Sequence, residues 1–417
     1  MLWSWRTSCV TIYVRHYHIL CVLTTVVWYT EDVKYPQGTC ICGVFLVKVK
    51  EEKSFSRKEM YHMNHFRQIA EKLADWELDA MMLTAAPNRL YAAGFRSSAG
   101  MVLVTGQSAW FFTDSRYLEA AQNAIQDAGV RLVDGAHSYT ALAREVIEAD
   151  GVTRLGFEDD RMSVTSYEAY RKALPCELIG AGARMDELRM VKDAEEVEKL
   201  LASQKIAEAA FTDLLGEIRP GVTERQLAAK LDYLMLTYGA EKPSFDTIVA
   251  SGTNGSKPHA VPSDKPVAAG EFITFDFGAM KDGYCSDTTR TVAVGYVTEE
   301  MRKVYDTVLQ AQLAGIAAAK AGVTGRQVDG AARDYIAAAG YGEYFGHGFG
   351  HGLGIEVHEA PTAAPSYDRP LPAGAVISAE PGIYLPGKLG VRIEDVLILT
   401  EEGSRNITGL SKELLIL

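Results

Sequence analysis

Past residue 59 the chain is short of cysteine: only Cys176 and Cys285 remain, far apart in sequence. That excludes a disulfide framework and points to a reducing compartment. Basic charge is scarce too, with 42 lysines and arginines against 54 aspartates and glutamates, a net charge of −12. A nucleic-acid binder needs a basic face, and so does docking onto anionic lipid, so neither partner is expected. A cytoplasmic protein fits these absences.

The first 59 residues lack alanine altogether; the first is Ala70. They hold four of the six cysteines (Cys9, Cys21, Cys40, Cys42) and three of the five tryptophans (Trp3, Trp5, Trp28). The apolar run "ILCVLTTVVWY" (19–29) is too short to span a bilayer comfortably. Arg6 and Arg15 ahead of it suggest a signal peptide, but no small-residue cleavage site follows. The expectation is a misassigned start, with translation beginning at Met60 or Met63, or an unstructured leader; a membrane anchor is the alternative.

What remains is long enough for two domains, and 47% hydrophobic with 23% charged residues is a globular composition. Over 60–185, "NHFRQIAEKLADWEL" and "SRYLEAAQNAIQDAG" read as helices. "DAMMLTA", "MVLVTG", "SAWFFTD" and "RLGFED" read as strands, an alternation that predicts an α/β domain. A second domain, 186–417, opens with a capping signature at Asp193 and Glu196 and a long helix stopped by Pro220 and Gly221.

A repeat runs through this second domain. "GVTERQLAAKLDY" at 221 returns as "GVTGRQVDGAARDY" at 322, and "ITFDFG" at 273 is answered by "ISAEPG" at 377. Asp287 pairs in the same order with Glu394. Two related halves are expected, each giving helices and two acid-bearing strands. In the first, "KDG" (281–283) is a hairpin signal that folds Asp287 back toward Asp276. In the second, Glu380 ends the apolar run "AVISAE", and period two in "GVRIEDVLIL" puts Arg392 and Glu394 on one face.

Four carboxylates on buried strands repel one another and oppose folding unless cations compensate. One arginine cannot neutralise four acids, whereas two divalent metal ions can, and carboxylates bridge metals roughly 3.5–4 Å apart. "HGFGHGLGIEVHE" (347–359) supplies imidazoles, with His351 the candidate ligand. The His347–His351 spacing also fits a zinc helix, but alternating glycines disfavour a helix and Gly348 stands where its glutamate should be. An oxygen-rich set with one nitrogen favours Mn²⁺, with Co²⁺ or Zn²⁺ as alternatives. Singly, each residue reads as an ordinary turn acid or satisfied histidine. His347 reads equally as a loop-ordering group, Tyr384 as packing and Lys388 as solvated surface.

Together, Asp276, Asp287, His351, Glu380 and Glu394 resemble the five metal ligands of the pita-bread metallopeptidases, aminopeptidase P and prolidase branch. "DFGAMKDGYCSDTTRT", "AEPGIY" and "VRIED" are close to that branch's motifs, and "SGTNGSKPHA" resembles the segment with its first active-site histidine, here His259. The resemblance covers 188–417 strongly and 64–182 loosely. It implies an α/β (α+β) chain, a ribonuclease-H-like N-terminal domain followed by a pseudo-twofold pita-bread catalytic domain. It also implies a homodimer and hydrolysis of the bond before proline at position two of a peptide or dipeptide. Glu380 would bind metal and shuttle a proton, His259 and His358 would donate to the carbonyl oxygen, and His347 and Arg392 would hold substrate or orient ligands. The alternatives are a methionine aminopeptidase on the same scaffold, a metal-free creatine-hydrolysing relative and a non-catalytic binding module.

Overall fold

The computed structural model describes residues 65–417; the leader, its alternative anchor and the start at Met60 or Met63 lie outside them. Among the described residues no helix is long and apolar enough to cross a membrane. The first part is a mixed six-stranded sheet in the order 129–132, 109–113, 101–105, 80–83, 154–157, 177–180. Its centre is an antiparallel meander, Ala80–Leu83 to Met101–Thr105 to Ala109–Thr113, with Arg154–Phe157 and then Glu177–Gly180 added in parallel on the other side. This is the ribonuclease-H-like arrangement. Met81, Val102, Leu103 and Phe111 are fully buried in it, because helices cover both faces.

The second part is built twice over. Helices Ala194–Leu214 and Glu224–Thr237 back a sheet of 248–251, 272–277 and 288–293. Helices Glu299–Ala318 and Gly325–Ala338 back a sheet of 359–363, 350–352, 376–379, 395–399 and 404–406. Both expected capping boxes form, Thr223 with Gln226 and Thr324 with Gln327. The repeat also reaches further than the caps. Thr223 bridges Pro266 as Thr324 bridges Pro370, and Arg225 pairs with Asp264 as Arg326 pairs with Asp368.

The Asp-Gly turn is present: Asp282 and Gly283 both have positive φ, 49° and 83°, joining Ala279–Lys281 to Tyr284–Cys285. Phe272–Phe277 then pairs with Thr288–Ala293, putting Thr289 opposite Asp276 with Asp287 just before the strand. In the second half Val376–Ala379 pairs with Asp395–Leu399, flanked by Glu380 and Glu394. One expectation is corrected here. "GVRIEDVLIL" is not one strand: Leu389–Arg392 belongs to a hairpin with Gly382–Leu385, and the chain crosses to the larger sheet at Ile393 and Glu394. Arg392 and Glu394 still share a destination, because the crossing turns both into one cavity.

Candidate active site

The glycines between 348 and 354 have a steric reason rather than a dihedral one. A Cβ on Gly350 would lie 2.0 Å from the Ser378 carbonyl oxygen, and one on Gly352 would lie 2.5 Å from the Ala360 carbonyl oxygen. The strand Gly350–Gly352 runs so close between its neighbours that no side chain fits at those positions. Between them a β-bulge shifts the register at His351 and Gly352, a device that re-aims a side chain. His351 Nδ1 lies 3.1 Å from the Gly352 carbonyl oxygen and so donates to it. The other nitrogen, Nε2, faces the acids: 3.0 Å from Glu380 Oε1 and 3.6 Å from Asp287 Oδ2. This is the tautomer arrangement of a metal-ligating histidine.

All nine residues expected at the site line a single cavity of about 660 Å³: Asp276, Asp287, His351, Glu380, Glu394, His259, His358, His347 and Arg392. The two acid-bearing hairpins join at its floor, where the Thr289 hydroxyl donates to Glu394 Oε2 at 2.7 Å. Arg392 binds Asp276 Oδ2 at 2.5 Å and Thr289 Oγ1 at 3.1 Å. His351 Nε2 and Glu380 stand beside Ser378, whose hydroxyl donates to Glu380 Oε1 at 3.0 Å. His259 and His358 are exposed at the mouth, with the His358 ring 4.3 Å from that of His351, edge on.

The electrostatics have the strain anticipated for crowded acids. Burial, then Glu394 and Asp276, push Asp287 well above the usual carboxylate range. Burial, then Glu380 and Asp276, do the same to Glu394. Burial depresses His351, but its bond to Glu380 and the surrounding acids outweigh that and lift it to about 9. Arg392 is the only lysine or arginine among the described cavity-lining residues.

The donor set fits divalent metal ions. Ligand atoms of Asp287, His351 and Glu394 lie within 4.8 Å of one another. Asp276 Oδ1 and Glu394 Oε1 are buried without a hydrogen-bond partner, which for a carboxylate oxygen costs heavily unless a cation satisfies it. Hard and intermediate divalent ions take this kind of oxygen-rich set.

Sequence similarity agrees with the geometry. The profile of metallopeptidase family M24 matches residues 198–401, and that of the creatinase/prolidase N-terminal domain matches 66–191. The Xaa-Pro dipeptidase of Pyrococcus horikoshii is 37% identical over 84% of this chain and 98% of its own. The chain belongs to metallopeptidase family M24. Among solved structures, the Xaa-Pro dipeptidase from Bacillus anthracis superposes with a TM-score of 0.82 at 42% identity, covering 85% of this chain and 99% of that one. The X-Pro aminopeptidase from Thermotoga maritima gives 0.79 at 38%, covering 84% and 100%.

Three features in and beside this cavity escaped the sequence reading. Tyr384 is not mere packing. His347 Nδ1 donates to the Gly348 carbonyl oxygen (2.8 Å), so Nε2 accepts from the Tyr384 hydroxyl at 2.9 Å, and that oxygen accepts from Arg392 Nη1 at 2.8 Å. Burial holds the His347 pKa below its ordinary value, consistent with a neutral acceptor. Thr289 and Ser378 each sit two residues from a site acid, so strand periodicity alone places them on its face. The third is an ion network behind His358. Glu359 is clasped by Lys192 at 2.5 Å and by Arg189, which also reaches Glu356 and Asn88, both at 2.9 Å. Lys388 is the surface residue expected, paired with Glu300.

Proposed function

We propose that this peptidase hydrolyses the bond between an N-terminal residue and a following proline, using Asp276, Asp287, His351, Glu380 and Glu394 to hold two divalent metal ions. The observation that carries this reading is the convergence of four acids from both halves, with four histidines and one arginine, on one cavity. Two divalent cations bound by those side chains supply Lewis acidity, lowering the pKa of a water and stabilising negative charge on the carbonyl oxygen.

The protein's own groups do the rest. Glu380, fixed by the Ser378 hydroxyl and set against His351, takes the proton from the attacking water and delivers it to the departing nitrogen. His259 and His358, at the mouth, donate to the carbonyl oxygen as charge develops there. Arg392 keeps Asp276 oriented, and through Tyr384 it fixes His347 on the cavity wall. The substrate's free amine sits against the acids, which selects N-termini. An X–Pro bond is a tertiary amide without an N–H. A site that grips the carbonyl side therefore loses nothing at proline.

The same proposal takes Mn²⁺ as the metal, with Co²⁺ or Zn²⁺ as substitutes, a cytoplasmic location and a homodimer. It also divides the chain into 60–185 and 186–417, with 1–59 outside both domains. Family resemblance supports the dimer, and the unpaired thiols Cys176 and Cys285 among the described residues support the compartment. The test is hydrolysis of Ala-Pro, Ala-Pro-Gly-Gly and Met-Ala-Ser by purified protein with Mn²⁺, before and after a chelator. Chelator-sensitive cleavage of a proline peptide is expected, restored by Mn²⁺. Cleavage of Met-Ala-Ser alone would overturn the proline assignment, and cleavage unaffected by chelation would overturn the metal assignment.

A further inference from the structure

The helix Glu224–Thr237 begins with a carboxylate that is completely buried and whose hydrogen bonds go to Ser251, Asn254 and Ser263, none of them a proposed metal ligand. All of its bonding capacity goes to one loop. Glu224 Oε1 accepts from the Ser251 backbone N–H at 2.7 Å and its hydroxyl at 2.8 Å. Oε2 accepts from the Ser263 N–H at 3.0 Å and its hydroxyl at 2.6 Å, and the Asn254 amide spans both oxygens at 3.1 and 3.0 Å. Ser251 and Ser263 are the two feet of the segment that carries Pro258, His259 and Val261 to the cavity. Both His259 and Val261 are exposed, so little packing fixes them from outside. From inside, the segment meets Arg392 through the Pro258 carbonyl oxygen at 3.3 Å.

The internal repeat gives an independent comparison. The position equivalent to Glu224, just after the capping threonine, is Gly325. There a Cβ would lie 2.1 Å from the Thr362 carbonyl oxygen, so bare backbone seats the strand that follows His358. The two halves thus use one helix start for one task, holding a histidine-bearing segment, by a carboxylate in one and by close approach in the other. A buried carboxylate is costly unless fully bonded. Helix capping does not require it here, since Thr223 and Gln226 already form the box.

We propose that Glu224 is a positioning residue of the peptidase reaction, clamping both ends of the 251–263 segment so that His259 meets the substrate carbonyl. This rests on the role given to His259 above. Glutamine at 224 keeps the shape but replaces one acceptor oxygen by a donor, so either Ser251 or Ser263 loses the acceptor for its N–H.

The experiment is a double-mutant cycle of Glu224→Gln and His259→Ala on the Mn²⁺-loaded full chain, with metal content measured and amide hydrogen exchange followed over 251–263. Glu224→Gln should keep its metal and lower kcat/KM for a proline peptide by roughly 10–100-fold, a part of what one oxyanion donor supplies. Exchange should quicken in that segment, and the change should cost almost nothing further once His259 is alanine. Unchanged kinetics and exchange would overturn the clamp, and so would an equal loss in the His259→Ala background. Full activity of His259→Ala alone would instead remove the role of His259, while the exchange result would still report on the clamp. If Glu224→Gln fails to fold, Ser263→Ala and Asn254→Ala each remove one contact and should show the same non-additivity at smaller amplitude; additive losses there overturn the proposal.

Discussion

Replacing Glu359 by glutamine should destabilise the protein far more than an ordinary surface change, and the structure says by how much. The Glu359, Arg189 and Lys192 side chains are only 5%, 2% and 1% exposed. Arg189 keeps Glu356 and Asn88 after the substitution, but Lys192 keeps no other carboxylate partner among the described residues. Breaking a buried pair from one side leaves an uncompensated charge and costs about 3–5 kcal/mol. Removing both charges is far milder, so Lys192→Met added to Glu359→Gln should restore much of the loss. Urea denaturation of the two single variants and the double variant measures this. The pH dependence follows the same pair. Burial would raise the Glu359 pKa, but Lys192 and Arg189 prevail and hold it below its ordinary value. Its stabilisation is therefore fully present above the unfolded carboxylate pKa of about 4.3 and is lost as pH falls through the folded value. The gap between wild type and Glu359→Gln should narrow in acid. Single-variant losses that simply add, within about 0.5 kcal/mol, would refute the coupling.

Asp287→Ala should abolish metal binding and turnover together, checked by metal analysis and peptide hydrolysis; normal turnover would remove Asp287 from the site. His358→Ala should spare metal content and lower kcat by roughly 10²–10³, the scale of one oxyanion donor, measured under saturating Mn²⁺. Tyr384→Phe strips the shared hydroxyl from His347 and Arg392. An unsatisfied buried group costs about 1–3 kcal/mol, so denaturation should register that loss alongside reduced turnover, with metal retained.

Much of the site was legible because it is local and periodic. Asp282-Gly283 announces its turn, the acids sit in or next to apolar strands, and the repeat pairs them in order. The missed parts depend on distance or geometry. Arg189 meets Glu359 across 170 residues, which no local pattern encodes. The break at Ile393 hides inside a run that reads as continuous strand. The edge strand Gly129–Leu132 is half-buried throughout, so it has no alternation to read. One signal was available and unused: "DKPVAAG" at 264 returns as "DRPLPAG" at 368, the second side of the bridges at Thr223 and Thr324.

The seam between the two halves has a consequence for biosynthesis. A nascent chain that has folded only through Ala293 owns two of the five proposed ligands and no imidazole among them. Hydrolytic competence then waits until the last hundred or so residues have emerged and docked, so regain of turnover after denaturation is a clock for the final assembly of the molecule rather than for its early collapse.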